Sequence, residues 1–250
     1  MQVFLALFRR ELGTFFLSLT GYVIIAAATF LVGESFAVLI KNLGTSPTPV
    51  PVTELFYRTY FFWLILLLAT PVITMRLFAL EKFTGTFETL MTTPVRDVQV
   101  VAAKFAAAWF FYLVMWLPML ACFYVVQYFA RQSGALEPGA LGGMYLGVVL
   151  VGALFIAIGC FASALTNSQI VAAMITFAFG VTLFAIAYVA DQFQAGSGWQ
   201  ALVMTKFALF QQMQDFARGT VDSRSVVFLS TLTLFFLFLT LRAVEGRRWK

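Results

Sequence analysis

The chain has 250 residues, of which 62% are apolar and 11% charged, with 30 phenylalanines and a mean hydropathy of +0.93. Soluble domains average about 45–50% apolar and about 25% charged residues, so lipid must be part of the solvent, and a soluble enzyme, a secreted disulfide scaffold and a disordered tail are excluded. The formal net charge is +5 and histidine is absent, which removes His-based metal sites, Ser-His-Asp triads and imidazole proton relays.

Residues 1–16 place Val3, Phe4, Leu7, Phe8, Leu12, Phe15 and Phe16 at helical spacing, with Gln2, Arg9, Arg10 and Thr14 on the other face and Glu11 intruding on the apolar side. The pattern predicts an amphipathic helix lying in the headgroup plane. Two roles stay open for it, an anchor that orients the first span and a receiver of motion from a cytoplasmic partner. The start lacks the short basic region and small-residue cleavage site of a signal peptide, so the first span is expected to be a retained targeting element.

Six stretches reach or nearly reach the ~20 residues a helix needs to cross ~30 Å of hydrocarbon. They run about Leu17 to Ile40, Phe56 to Met75, Ala102 to Phe129, Gly142 to Leu165, Ile170 to Ala190 and Ser225 to Leu241. Spans four and five are divided only by Thr166-Asn167-Ser168-Gln169, which contains neither Gly nor Pro. With both termini inside, Arg9, Arg10, Arg76, Lys82, Arg96, Lys104, Arg242, Arg247, Arg248 and Lys250 are cytoplasmic. Lys41, Arg58, Arg131, Lys206, Arg218 and Arg224 are then external and matched by six acids, among them Glu34, Glu54 and Asp191. All the excess positive charge falls on one side, as the positive-inside tendency requires.

Between spans, Asn42 to Val52 carries three prolines and reads as an outer loop. The other outer segment, 191–224, is longer than a connector. Its Phe207, Phe210, Met213 and Phe216 recur every third residue before Gly219 as a stop, which suits a stretch lying on the membrane or dipping into it. Pro71 and Pro118 are candidate kinks in spans two and three. Gly139, Gly143 and Gly147, four apart, let helices approach closely, within the subunit or at a dimer seam. Tyr22, Tyr57, Tyr60, Trp63, Trp199 and Trp249 suit an interfacial aromatic belt. Cys122 and Cys160 fit packing rather than a redox pair. Glu34, within a span, is a candidate for facing cargo.

The most specific segment is the inner loop, residues 76–101, with its flanks: MRLFALEKFTGTFETLMTTPVRDVQVVAAKF, Met75 to Phe105. Gly85 breaks the helix descending from span two. Residues 86–91 then form a short second helix, with Thr84 or Thr86 as its cap and Glu88 in its first turn, and Pro94 ends it. Phe87, Leu90 and Met91 are its apolar face, able to seat in a groove of a soluble protein while Glu88 sets register; a solvated connector is the alternative.

Met75, Arg76, Glu81, Lys82, Gly85, Thr86, Glu88, Leu90, Pro94 and Lys104 match a pattern that resembles the permease subunits of type 2 ABC exporters. Leu80 stands where that family has the first of two acids, and Ala103 where it has Gly. Phe216, Arg218-Gly219, Asp222 and Arg247-Arg248-Trp249 are similar to the gliding-motility-type permeases within it. The resemblance implies an all-α membrane protein forming a single permease domain over residues 1–250. Its six transmembrane helices are accompanied by the interfacial helix and by a cytoplasmic coupling helix between spans 2 and 3, where Glu81, Gly85, Thr86, Phe87, Glu88, Leu90, Met91 and Pro94 meet an ATPase. It also implies the partners: two copies of an ABC ATPase subunit that carries ATP and Mg, and a second permease copy or a related membrane subunit in the bacterial inner membrane. The chain has no GxxxxGK[ST] motif, so no recognisable ATP site. No catalytic, cofactor-binding or metal-binding residue and no nucleic-acid partner is expected. A mechanotransmitting scaffold that relays ATPase cycles to envelope or gliding machinery without moving a solute is the competing function.

Overall fold

A computed structural model describes residues 2–45, 52–86, 95–130, 138–192 and 207–248, and every regular element in them is helical. The first helix, α1 (Gln2–Phe16), turns sharply into α2 (Leu19–Thr45). The Ser18 hydroxyl accepts the Gly21 N–H at 3.2 Å, an N-cap that satisfies one of the orphan donors of α2. A Cβ at Gly21 would lie 2.0 Å from the Phe15 carbonyl, so only glycine permits so tight a corner.

Span two arrives in two pieces. Short α3 (Val52–Arg58) is separated from α4 (Phe61–Thr74) by Thr59 and by Tyr60, whose backbone is left-handed at φ 58°. The apolar run beginning at Phe56 therefore does not form one helix. Pro71 sits inside α4 without ending it. Beyond a turn, α5 (Ala79–Phe83) continues the descent.

Span three is α6 (Asp97–Met115) followed by α7 (Leu117–Ala130), and the break at Trp116 falls just before Pro118. The Trp116 carbonyl accepts the Tyr145 hydroxyl at 3.0 Å, so this buried polar group stays paired. Span four is α8 (Pro138–Leu165) and span five α9 (Gln169–Gln192). They part without Gly or Pro because the Thr166 hydroxyl accepts the Ser168 N–H at 3.1 Å, a side chain doing the work of a backbone turn. After α10 (Leu209–Ala217), span six is α11 (Ser223–Arg248).

Six of these stretches are long and apolar enough to cross a membrane. Of the hydrophobic window of α8, 72% is buried, against 17% for α11 and 22% for α9. Span four is thus the axis and the others surround it. Their outward faces carry Phe30, Met174, Phe177, Leu234, Phe235 and Phe238 exposed, an apolar surface that only a lipid solvent or another protein would leave in place.

Close approach to the axis depends on missing side chains. A Cβ at Gly143 would lie 2.4 Å from the Phe216 carbonyl of α10, and one at Gly159 2.2 Å from the Thr74 hydroxyl of α4. Gly143 and Gly147 therefore serve packing inside this chain, whereas Gly139 meets nothing within 4 Å. Two of the expected belt aromatics are core residues instead: Tyr57 donates to the Met144 carbonyl at 3.2 Å, and the Trp63 ring is tilted 4.7 Å from that of Phe210. Tyr22 and Tyr60 are exposed, while Trp199 and Trp249 lie outside the described residues. Cys160 is buried, Cys122 half-buried, and both are free.

Candidate functional site

At the end of the bundle where α1, α5 and α6 meet, four charges form a closed ring. Lys104 Nζ donates to Glu11 Oε1 at 3.0 Å and sits 2.9 Å from Glu81 Oε1. The Arg10 guanidinium donates to the same two oxygens, at 2.7 Å to Glu11 and 2.8 Å to Glu81. Lys104 is 3% exposed and Glu11 7%, whereas Arg10 is 49% exposed. Burial opposes the Arg10 charge, but hydrogen bonds and Coulomb attraction from Glu11 and Glu81 outweigh it and hold its pKa above the ordinary value. The Lys104 ammonium also lies 5.5 Å from the centre of the Phe78 ring, a cation–π contact.

The helices bring these groups together for simple reasons. Leu7, Phe8, Leu12 and Phe16 of α1 pack against the core, and Phe15 stacks 4.9 Å from Phe111 of α6. On that inward face Glu11 points at Lys104, one turn into α6 past Val100. The acid that breaks the amphipathic pattern is thus the partner of the lysine near the start of span three. Two unmatched opposite charges on otherwise apolar helix faces are the sequence signal that could have found the pair, because each alone would be prohibitively costly to bury.

The root of the inner loop is held at three further points. Ser163 of α8 accepts the Phe78 and Ala79 N–H groups, each at 3.1 Å, and so caps α5 from another helix. The Lys82 ammonium donates to the Ala164 carbonyl at the C-terminal end of α8, where a cation also meets the negative end of the helix dipole. Gly85, at φ 74°, sends its N–H back to the Lys82 carbonyl and closes α5, as a left-handed C′ glycine does.

Of the expected coupling residues, Glu81 is therefore fixed in the charge ring and Gly85 ends the descending helix. The Thr86 hydroxyl lies 2.9 Å from that of Thr84. Thr84 ends α5, with its hydroxyl donating to the Leu80 carbonyl at 3.0 Å. Phe87, Glu88, Leu90, Met91 and Pro94 lie outside the described residues. Leu80, in place of an acid, is half-buried, so of these two neighbouring positions Glu81 carries the carboxylate that joins the ring. Lys104, matched to the family pattern in the sequence, is a buried ring member. Glu34 is exposed on α2.

The opposite end has its own lock. Glu54 of α3, 2% exposed, accepts two parallel bonds from Arg218, both at 2.8 Å, the strong bidentate geometry. Thr53 donates to the Ala217 carbonyl at 2.7 Å. Arg218 follows α10, which ends in a full Schellman motif: Thr220 N–H to Asp215 carbonyl, Gly219 N–H to Phe216 carbonyl, with Gly219 at φ 81°. Glu54, counted from sequence among the external acids, is a buried anchor. Phe210, Met213 and Phe216 are buried against the bundle, so α10 is packed into the protein. No group of three or more metal-binding side chains occurs among the described residues.

Residues 19–183 match the model of a family described as ABC-2 family transporter protein. No curated protein matches the chain.

Proposed function

Because the chain belongs to the ABC-2 transporter family, we propose that it is the membrane subunit of an ATP-driven exporter whose inner loop transmits the work of a separate ATPase. Membership implies a multi-pass membrane protein that is a permease subunit of an ABC transporter, typically non-catalytic, partnered by an ABC ATPase subunit. The finer reading has two ATPase copies carrying ATP and Mg, and a second permease copy or related subunit. The complex sits in a bacterial inner membrane with both termini cytoplasmic. The orientation is supported by the concentration of excess basic charge at one end of the spans. Assignment to the gliding-motility-type subgroup rests on the similarity of the C-terminal segment.

The observation that carries the reading is how firmly the loop root is held. Glu81 is tied to α1 and α6 through Arg10 and Lys104, and its neighbours to α8 through Ser163 and Lys82. A push on residues 86–94 is then delivered to the axis helix and the N-terminal helix together. ATPase closure does work only if two permease states respond to it differently, and a stiff linkage is what lets them.

The test has two parts. Purification in mild detergent should recover a P-loop ATPase with this chain. Glu88→Lys should uncouple hydrolysis from transport in that complex while insertion stays intact. Normal coupling with the charge reversed removes Glu88 from the contact, and failure to recover any ATPase overturns the assignment.

A further inference from the structure

A cavity of about 210 Å³ opens beside the charge ring, between α1, α2 and α4. Its wall combines the hydroxyls of Ser18 and Thr20 and the guanidinium of Arg76 with the aliphatic side chains of Ile24, Val72 and Leu80. The volume holds several waters or one phosphate-sized group.

Arg76 is the unusual member. Its NH1 donates to the Thr20 hydroxyl at 2.9 Å, and Thr20 is in turn 3.0 Å from the Ser18 hydroxyl. Among the described residues no carboxylate pairs with Arg76, because Glu11 and Glu81 each already receive Arg10 and Lys104. A guanidinium carries five N–H donors, and the half-buried Arg76 leaves most of them for something else. Three cations against two acids leave the cavity wall positive.

The approach to Arg76 is apolar and regular. Leu64, Leu68 and Val72 are exposed on α4 at intervals of four residues, and Val72 lines the same cavity as Arg76, which follows in the turn after α4. A helix places such residues on one line along its surface. The row therefore leads from the hydrocarbon-length part of α4 to a lone cation in a polar recess.

We propose that this site binds one anionic glycerophospholipid, its phosphate on Arg76, Ser18 and Thr20 and an acyl chain along Val72, Leu68 and Leu64. The row fits the tail, and the excess positive charge selects an anionic over a zwitterionic head. Bound there, the lipid bridges α2 and α4 next to the ring that holds the loop root. The inference requires only that the chain spans a bilayer, and holds whether or not an ATPase docks on the loop.

The full chain is reconstituted into nanodiscs of phosphatidylcholine mixed with phosphatidylglycerol, released into detergent, and the retained lipids counted by native mass spectrometry. One phosphatidylglycerol should be retained preferentially. Arg76→Ala should weaken its retention about fivefold, the effect of one basic side chain at an anionic head. Arg76→Lys should largely preserve it. Val72→Trp, which fills the cavity and leaves every charge in place, should also release the lipid. Arg242→Ala, which removes an exposed cation paired with Glu245, should change nothing. Equal retention by the wild type and both cavity variants overturns the proposal, as does equal retention of phosphatidylcholine or displacement of the lipid by inorganic phosphate.

Discussion

Replacing Lys104 with Met tests whether the ring, rather than apolar packing alone, holds the N-terminal helix and the loop root to the bundle. Lys104 makes two contacts, at 3.0 and 2.9 Å, with carboxylates that are 7% and 17% exposed. At an effective dielectric of about 20, a charge pair in contact is worth about 4 kcal/mol, and the two carboxylates that Lys104 separates repel one another once it is gone. Recovered desolvation of the ammonium offsets part of this, and removing one member of a buried pair costs about 3–5 kcal/mol in practice. Arg10 still serves both carboxylates and admits water, so the lower end, about 3 kcal/mol, is expected. Arg10→Ala, at a half-exposed position, should cost only about 1 kcal/mol. Thermal unfolding of the detergent-solubilised full chain gives the ranking, and limited proteolysis at the α1–α2 corner shows whether α1 is released. In the triple change Lys104→Met, Glu11→Gln, Glu81→Leu most of the loss should return, because no buried charge is left without a partner and Arg10, 49% exposed, is left to solvent. A Lys104→Met protein as stable as the wild type, or less affected than Arg10→Ala, would refute the reasoning.

Three further changes probe other joints. Ser163→Ala leaves the Phe78 and Ala79 N–H groups unpaired and should cost about 1–3 kcal/mol, with faster hydrogen exchange at those two amides; unchanged exchange would mean the hydroxyl is not their partner. Gly143→Val drives a side chain into the Phe216 carbonyl 2.4 Å from the ideal Cβ position, and should displace α10 and sharply lower the yield of folded protein; wild-type yield and melting would contradict the packing. Asp215 is pushed above the usual carboxylate range, first by burial, with Arg218 opposing and Asp222 and Glu54 adding to the rise. The folded chain thus keeps that proton to higher pH than the unfolded one. Its stabilising contribution is present below the ordinary value of 3.8 and is lost as pH rises through the raised value. Asp215→Asn should therefore be neutral to stabilising at neutral pH, and the gap between variant and wild type should narrow on acidification; a gap that widens there reverses the sign.

How much of this was legible before any coordinates follows from what each feature depends on. The six spans, the stop at Gly219 and the break at Gly85 were readable because hydrophobic length and left-handed glycines are local properties. The division between spans four and five is visible in the sequence only as a polar turn, because the Thr166 hydroxyl that makes it has no signature beyond that polarity. Tyr57 and Trp63 were misplaced, because an aromatic near a span's end reads the same whether it faces headgroups or an interior carbonyl. Part of the expected coupling surface, from Phe87 to Pro94, lies outside the described residues.

Sequence alone settled that this is an all-helical protein in lipid, since 62% apolar residues in helix-length runs admit no other solvent. Tertiary structure alone decided which polar residues belong to one another. Glu11, Glu81 and Lys104 are separated by up to 93 positions, and Glu54 and Arg218 by 164. A buried charge is tolerable only beside its partner, yet nothing in the neighbouring residues of either names that partner. The pairing is a property of how the other five spans and α1 pack around span four.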